Sequence, residues 1–205
     1  VDPTLYRKLV PEDFLRMNLP EKFWYARLNQ IHASVLEEVT RYVEQVDRMI
    51  VRGIGLLICG NVGVGKTGAA AVVAKAARSR GHPTYFTRIL DLRDSMRARE
   101  TFDDNPIFER CREVDFLVLD HLELEDATAP YIDNRVLTEL ISQRGERHRS
   151  TVLTTRAKVP QMKNTFKGML ETTGPYLVPI SMIGEDRRVQ QAEDAKQQVL
   201  GGPRG

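Results

Sequence analysis

Apolar residues recur at mostly three- and four-residue spacing from residue 21 to about residue 52: Leu28, Ile31, Val35, Leu36, Val39, Tyr42, Val43, Val46 and Ile50. That period predicts a helix with one buried face. Ahead of it, Pro3, Pro11 and Pro20 punctuate an irregular lead-in with room for a short helix at most. The pattern then changes to a continuous apolar run, "IGLLIC" (54–59), as expected of a strand buried on both faces. An alanine-rich helix follows from residue 65 and is stopped by Gly81 and Pro83. The same grammar repeats: strands at 84–89, 115–120, 150–155 and 176–182, with helices at 90–100 and about 131–144. Pro179 places the last strand at a sheet edge or strand end. Strands alternating with helices predict an α/β fold with a parallel sheet covered on both faces. The tail from Gly184 reads as one short helix and a disordered "GGPRG".

Bulk properties narrow the class. The 205 residues, 41% hydrophobic and 28% charged, suit one soluble core with a small appendage. A net charge of +2 means that any nucleic-acid contact needs a local basic patch. Cys59 and Cys111 lack metal-like spacing, and Cys59 reads as a buried thiol in a reducing compartment. No apolar stretch approaches the roughly 20 residues of a membrane span, and no leader is evident, so the expected location is cytoplasmic. The chain divides into a lead-in and helix (1–50), a core (51–188) and a tail (189–205).

The chemistry sits where the first strand meets its helix. Gly60, Asn61, Val62, Gly63, Val64, Gly65, Lys66 and Thr67 fit G-x-x-x-x-G-K-[ST], with Gly68 following. Glycines let the backbone wrap a phosphate, and the helix presents its positive end to the same anion. Lys66 supplies charge to the β and γ phosphates, and the Thr67 hydroxyl is a ligand for Mg²⁺. A glycine-rich turn that merely precedes a lysine is the bland alternative; the strand before and helix after argue against it. Asp120, closing "FLVLD", is the expected carboxylate partner for the metal, against a plain solvated strand end.

Histidine follows that aspartate. Histidine as a residue type can serve as a base near neutral pH, but as imidazolium it is a poorer acceptor beside a metal. Glu123 and Glu125 lie just beyond, as candidate substitutes or as loop-surface acids.

These residues resemble the DnaC/IstB type of AAA+ ATPase, which includes bacterial helicase loaders and transposition ATP-binding proteins. The resemblance runs over about residues 19–188, through "LPEKFW", "LEEVTRYVEQVDRMI", "RGIGLLICGNVGVGKT", "VDFLVLDHLEL", "NRVLTELISQRGERHRSTVLTT" and "IGEDRR". It implies a P-loop NTPase with a five-stranded AAA+ core, ATP bound between subunits, and homo-oligomers favoured by ATP. It also implies a sensor at the end of the fourth strand (Thr154 or Thr155, with Thr155 the choice) and a nucleotide-contacting C-terminal arginine (Arg187 or Arg188, with Arg188 the choice). Relatives carry an acid where this chain has His121, asparagine where it has Arg156, and an arginine finger where residues 166–177 offer only Lys167. These departures imply either a slow ATPase or a chain used chiefly as an ATP-dependent assembly switch. About twenty residues follow the last strand, fewer than a multi-helix lid needs, which fits the reduced lid of the loader branch.

Single-stranded DNA is a partner expected from the resemblance. Two basic groups are candidates: Arg88, Arg93, Arg97 and Arg99, and the loop Arg144, Arg147, His148 and Arg149. Acids (Asp91, Asp94, Glu100, Glu146) are mixed into both; the first group reads rather as a solvated helix face, and the second could equally face a neighbouring subunit's phosphates. Aromatic stacking residues are not interleaved with them, and Tyr85 and Phe86 read as core. Three functions follow: a loader-like switch for a replicative helicase, an ATP-dependent regulator of a transposase-like protein, and, weakest, a small-molecule kinase. No segment supplies the kinase's arginine-rich lid.

Overall fold

β1 (Gly55–Gly60), β2 (Thr84–Arg88), β3 (Phe116–Leu122), β4 (Ser150–Thr155) and β5 (Leu177–Met182) form one sheet in the order β2-β3-β4-β1-β5, every pair parallel. The computed structural model describes residues 7–97, 105–122, 132–161 and 176–187, with 192–193 and 196–197. β5 is an outer strand, as Pro179 requires. β1 is an interior strand flanked by β4 and β5, so the turn that follows it opens at the sheet's C-terminal edge beside the outer strand.

Alternation along each strand sorts the core into two layers. Leu56 and Ile58 of β1, Phe116 and Val118 of β3 and Val152 of β4 face one side. There they meet α2 (Ala33–Glu44), α3 (Val46–Val51) and α4 (Lys66–Ser79). Leu57, Cys59, Leu117, Leu119 and Leu153 face the other. They pack on α5 (Ile89–Arg97), α6 (Pro106–Glu113) and α7 (Ile132–Glu146). Tyr85 and Phe86 are buried, as expected. Both cysteines are buried and free, and burial pushes the thiols up, Cys59 to about 11 and Cys111 to about 12. Among the described residues no helix is long and apolar enough to cross a membrane.

The helix predicted from residue 21 starts only at Ala33. Residues Glu21–Phe23 and Leu28–Gln30 are single 3₁₀ turns, and Ile31 is extended. His32 begins α2 as its N-cap: its Nδ1 accepts the Ser34 backbone N–H at 3.1 Å. Gln45 (φ −111°, ψ 20°) then separates α2 from α3. α6 went unread in the hydrophobic pattern. Its signal is local: Asn105 accepts from the amides of Ile107 and Phe108, with Pro106 at the first helical position. α5 begins at Ile89, and the end foreseen near residue 100 lies outside the described residues, as does most of the tail helix.

The lead-in joins the same core. α1 (Pro11–Arg16) delivers Met17, whose carbonyl accepts the Phe86 N–H at 2.8 Å, while Asn18 Nδ2 donates to the Phe86 carbonyl at 2.9 Å. These bonds cover the open edge of β2. Asp13 fixes the arrangement. It is almost fully buried, and its carboxylate accepts from Arg7 (2.6 and 2.7 Å), Arg78 of α4 (3.0 and 3.1 Å) and the Val10 amide. The Arg7 hydrogen bonds, aided by Val10 and Arg78, outweigh burial and hold the carboxyl well below its ordinary range. A carboxyl depressed on folding stabilises the protein above its unfolded pKa, near 4, and loses that contribution as pH falls through the folded value. Asp13→Ala should cost about 2–3 kcal/mol in urea unfolding at pH 7. The difference from wild type should shrink below about pH 4; a difference that is constant down to acid pH would dismiss the ion-pair explanation.

Candidate functional site

Between Gly60 and Lys66 the backbone turns through Gly63 (φ 75°) and Gly65 (φ 106°), left-handed conformations that a Cβ disfavours. Gly65 is the N-cap of α4, so the helix N-terminus opens at the loop. Lys66 is buried, and its Nζ donates to the carbonyls of Gly60 (2.8 Å) and Asn61 (2.6 Å), which holds the ammonium inside the turn. The Val64 side chain is fully buried, so it anchors the loop to the core and leaves only its backbone for a ligand. Val62, Gly63, Gly65, Lys66, Thr67 and Gly68 line a cleft of about 1420 Å³.

Asp120 lies across from the loop, 2% exposed. Thr67 Oγ1 is 3.0 and 3.2 Å from its two oxygens, Thr154 Oγ1 donates to Oδ1 at 2.6 Å, and His121 Nδ1 is 3.2 Å from Oδ2. Burial pushes the carboxyl up, but the hydrogen bonds from His121, Thr154 and Thr67 together outweigh it and hold the group below its ordinary range. An ionised carboxylate beside a hydroxyl at the mouth of a phosphate loop is a donor set that fits Mg²⁺ carried in on a nucleotide, with phosphates and water completing its shell.

Strand parity sets which threonine lies beside Asp120. Thr154 Oγ1 donates to Asp120 and accepts the His121 N–H at 3.0 Å. The expected sensor, Thr155, turns the other way: its hydroxyl donates to the Leu122 carbonyl (2.6 Å) and accepts the Ala157 N–H (3.1 Å). Thr155 thus holds β4 to β3, and Thr154 takes the place beside Asp120. A register shift between Leu119 and Leu122 puts His121 at φ 63° in a bulge. There its ring is half exposed and lines the cleft beside the loop. Glu123, Glu125, Lys167 and Arg188 lie outside the described residues.

The wall at 22–32 went unread, whereas the other holds Arg187 of the arginine pair foreseen at the nucleotide. Residues 22–32 form one side, with Phe23, Tyr25, Arg27, Gln30 and His32 on the cleft. Lys75 of α4 fastens this segment by donating to the carbonyls of Trp24 (3.0 Å) and Ala26. Burial lowers its pKa, assisted by the nearby charge of Arg27. Opposite, Arg156 and residues 184–187 close the cleft, and the Arg187 N–H donates to the Gly63 carbonyl at 3.1 Å.

Both basic groups are largely spoken for. Arg88 pairs with Asp91 at 2.5 Å, and Arg93 is 3.9 Å from Asp94. The side chain of Arg97 and all of Arg99 lie outside the described residues. Arg147 and Arg149 pair with Glu113 at 3.2 Å. Arg144 corrects the reading of its loop: it is 0% exposed and donates to protein carbonyls and Thr151, so it cannot face DNA or a neighbour's phosphates.

Comparison with known proteins agrees with this architecture. Residues 40–174 match the family described as IstB-like ATP binding protein. A Sinorhizobium fredii protein (strain NBRC 101917 / NGR234) named insertion sequence ATP-binding protein y4iQ/y4nD/y4sD is 31% identical over 121 residues, 58% of this chain. The match spans 40% of that relative's length. Among solved structures, the DnaC helicase loader superposes with a TM-score of 0.66 at 21% identity, over 80% of this chain and 100% of its own. DnaI gives 0.68 at 20% identity, over 83% and 94%. AMPPCP-bound DnaA from Aquifex aeolicus gives 0.60 at 16%, over 85% and 56%. With its five-stranded parallel sheet and its phosphate loop, the chain belongs to the IstB-like ATP-binding protein family.

Proposed function

We propose that the chain is an ATP-dependent switch. The cleft takes ATP with its phosphates on residues 60–67 and Mg²⁺ between Thr67 and Asp120. Bound nucleotide then promotes association of the chain with itself and with a DNA-bound partner protein. The convergence of Lys66, Thr67, Asp120 and Thr154 at one end of the sheet carries this reading. The name of the Sinorhizobium relative favours a transposase-type partner from an insertion sequence. A second reading, service to a replicative helicase, draws on the shared fold of the DnaC helicase loader. Co-purification of tagged chain with each partner class, with and without ATP, separates the two.

Turnover is slow in this proposal, because His121 stands where a carboxylate base belongs and its Nδ1 is engaged by the metal-site aspartate. His121→Glu should raise steady-state ATP hydrolysis by about tenfold or more, toward what a placed general base provides. The cost should be about 1 kcal/mol of stability, since glutamate is ill at ease at φ 63°. The assay uses Lys66→Ala as blank and is run with and without single-stranded DNA. Flat turnover in His121→Glu would move the deficit to the missing arginine of a neighbouring subunit. Stimulation of wild type by DNA would place DNA at the switch.

A further inference from the structure

Residues 183–187, which include one wall of the cleft, form a strap fastened to the other wall and to the phosphate loop. The Ile183 N–H donates to Ser34 Oγ at 3.1 Å. Gly184 lies against the His32 ring, so closely that a Cβ there would come within 2.5 Å of Nε2. Further on, the Arg187 N–H donates to the Gly63 carbonyl (3.1 Å), and its guanidinium donates to the Gln30 carbonyl (2.6 Å). Between these anchors the Asp186 carboxylate presses on the phosphate loop. A Cβ on Gly63 would sit 1.6 Å from Oδ1 and 2.6 Å from Oδ2. Asp186 and the loop line the same cleft. The strap lies beyond the segment matched to the family, which ends at residue 174.

An acid beside an anion cradle is electrostatically adverse to the anion. We propose that Asp186 is an anionic gate on the phosphate cradle: it sets the affinity for polyphosphate, and arriving phosphate displaces it together with the strap. Because Arg187 reaches Gln30, displacement also loosens the wall on the other side of the cleft, so occupancy is relayed to both segments. The proposal rests on the assignment of residues 60–67 as the cradle.

Calorimetric titration with inorganic tripolyphosphate and with ATP tests it. Asp186→Asn keeps the shape and removes the charge, and should bind tripolyphosphate about tenfold more tightly at low salt, the size expected of one like charge at close range in a partly solvated site. The gain should shrink as salt is raised. Equal or weaker binding by Asp186→Asn would overturn the gate, because a purely structural aspartate would leave affinity unchanged or lower it. If Asp186→Asn lowers the melting temperature, Asp186→Ser gives the same reading from a side chain that need not fill the space. Lys66→Ala keeps the two assignments distinguishable. Tripolyphosphate binding unaffected by that change would mean the cradle is wrong, whereas binding lost with Lys66 but indifferent to Asp186 would mean only the gate is wrong.

Discussion

Lys66→Ala should weaken ATP binding by at least about a hundredfold, equivalent to about 2.7 kcal/mol, which two charge-assisted hydrogen bonds to phosphate readily account for. The ammonium is buried at the helix N-terminus, and its two described hydrogen bonds go to carbonyls of its own loop. It is therefore already confined near the place where phosphates arrive, so little side-chain entropy is lost on binding. The fold should tolerate the change, because α4 is held by Ala69, Ala70, Val73, Ala74 and Ala77 at the core. Calorimetry with ATP, paired with a melting curve, measures both. Unchanged affinity would remove the phosphate loop from the site. Lys66→Arg should not restore binding, because a planar fork demands more room than this buried pocket leaves.

The phosphate loop was legible because its chemistry is local: eight consecutive residues, a strand before and a helix after. Asp120 was legible for a similar reason, since a carboxylate closing an apolar run marks a strand end. The choice between Thr154 and Thr155 was not. It turns on which face of β4 looks toward β3, and the bulge at His121 shifts that register by an amount no spacing reveals. Residues 21–32 carry helical periodicity yet form turns, because packing against α4 and the Lys75 hydrogen bonds override a weak local preference. The strap was visible only as an arginine pair in "GEDRR". Its contact with Gly63 bridges more than a hundred residues of sequence and belongs to tertiary structure alone.

Parts of the cleft read from sequence and parts read only from structure also differ in kind. In the proposed function Lys66, Thr67 and Asp120 act on phosphate and metal, chemistry that tolerates few residue types, so it leaves a motif. The walls at 22–32 and 184–187 work through backbone carbonyls and close packing, which many side chains permit. Gln30 and Ala26 contribute carbonyl oxygens, and Gly63 contributes room for a neighbour's carboxylate. Such positions can differ between relatives that share the motif, and both walls lie outside the residues matched to the family.

Arg144→Ala should unfold the protein far more readily than any change at its basic neighbours, by about 3–5 kcal/mol, a large part of a domain's total stability. The guanidinium is enclosed among neutral acceptors: Cys111 O (2.7 Å), Val114 O (2.8 Å), Ser150 O (2.7 Å) and Thr151 Oγ1 (2.9 Å). It thereby joins the end of α6, the start of β4 and its own helix α7. Burial lowers its pKa to about 9, so it still carries its proton at pH 7. Alanine would strand the three carbonyls and the hydroxyl in a cavity without water or donor. Lysine should rescue poorly, since one ammonium cannot span acceptors spread over the end of α6 and the start of β4. Arg147→Ala, at a half-exposed ion pair, should change stability by less than about 1 kcal/mol. Urea unfolding of the three variants, beside single-stranded DNA binding by each, distinguishes a structural arginine from a surface one. An Arg144→Ala protein that melts like wild type but binds DNA less well would return this residue to the surface reading. A destabilised one would leave Arg147, His148 and Arg149 as what remains of the basic loop. Two of those three already share Glu113, which weakens the case for DNA on this face.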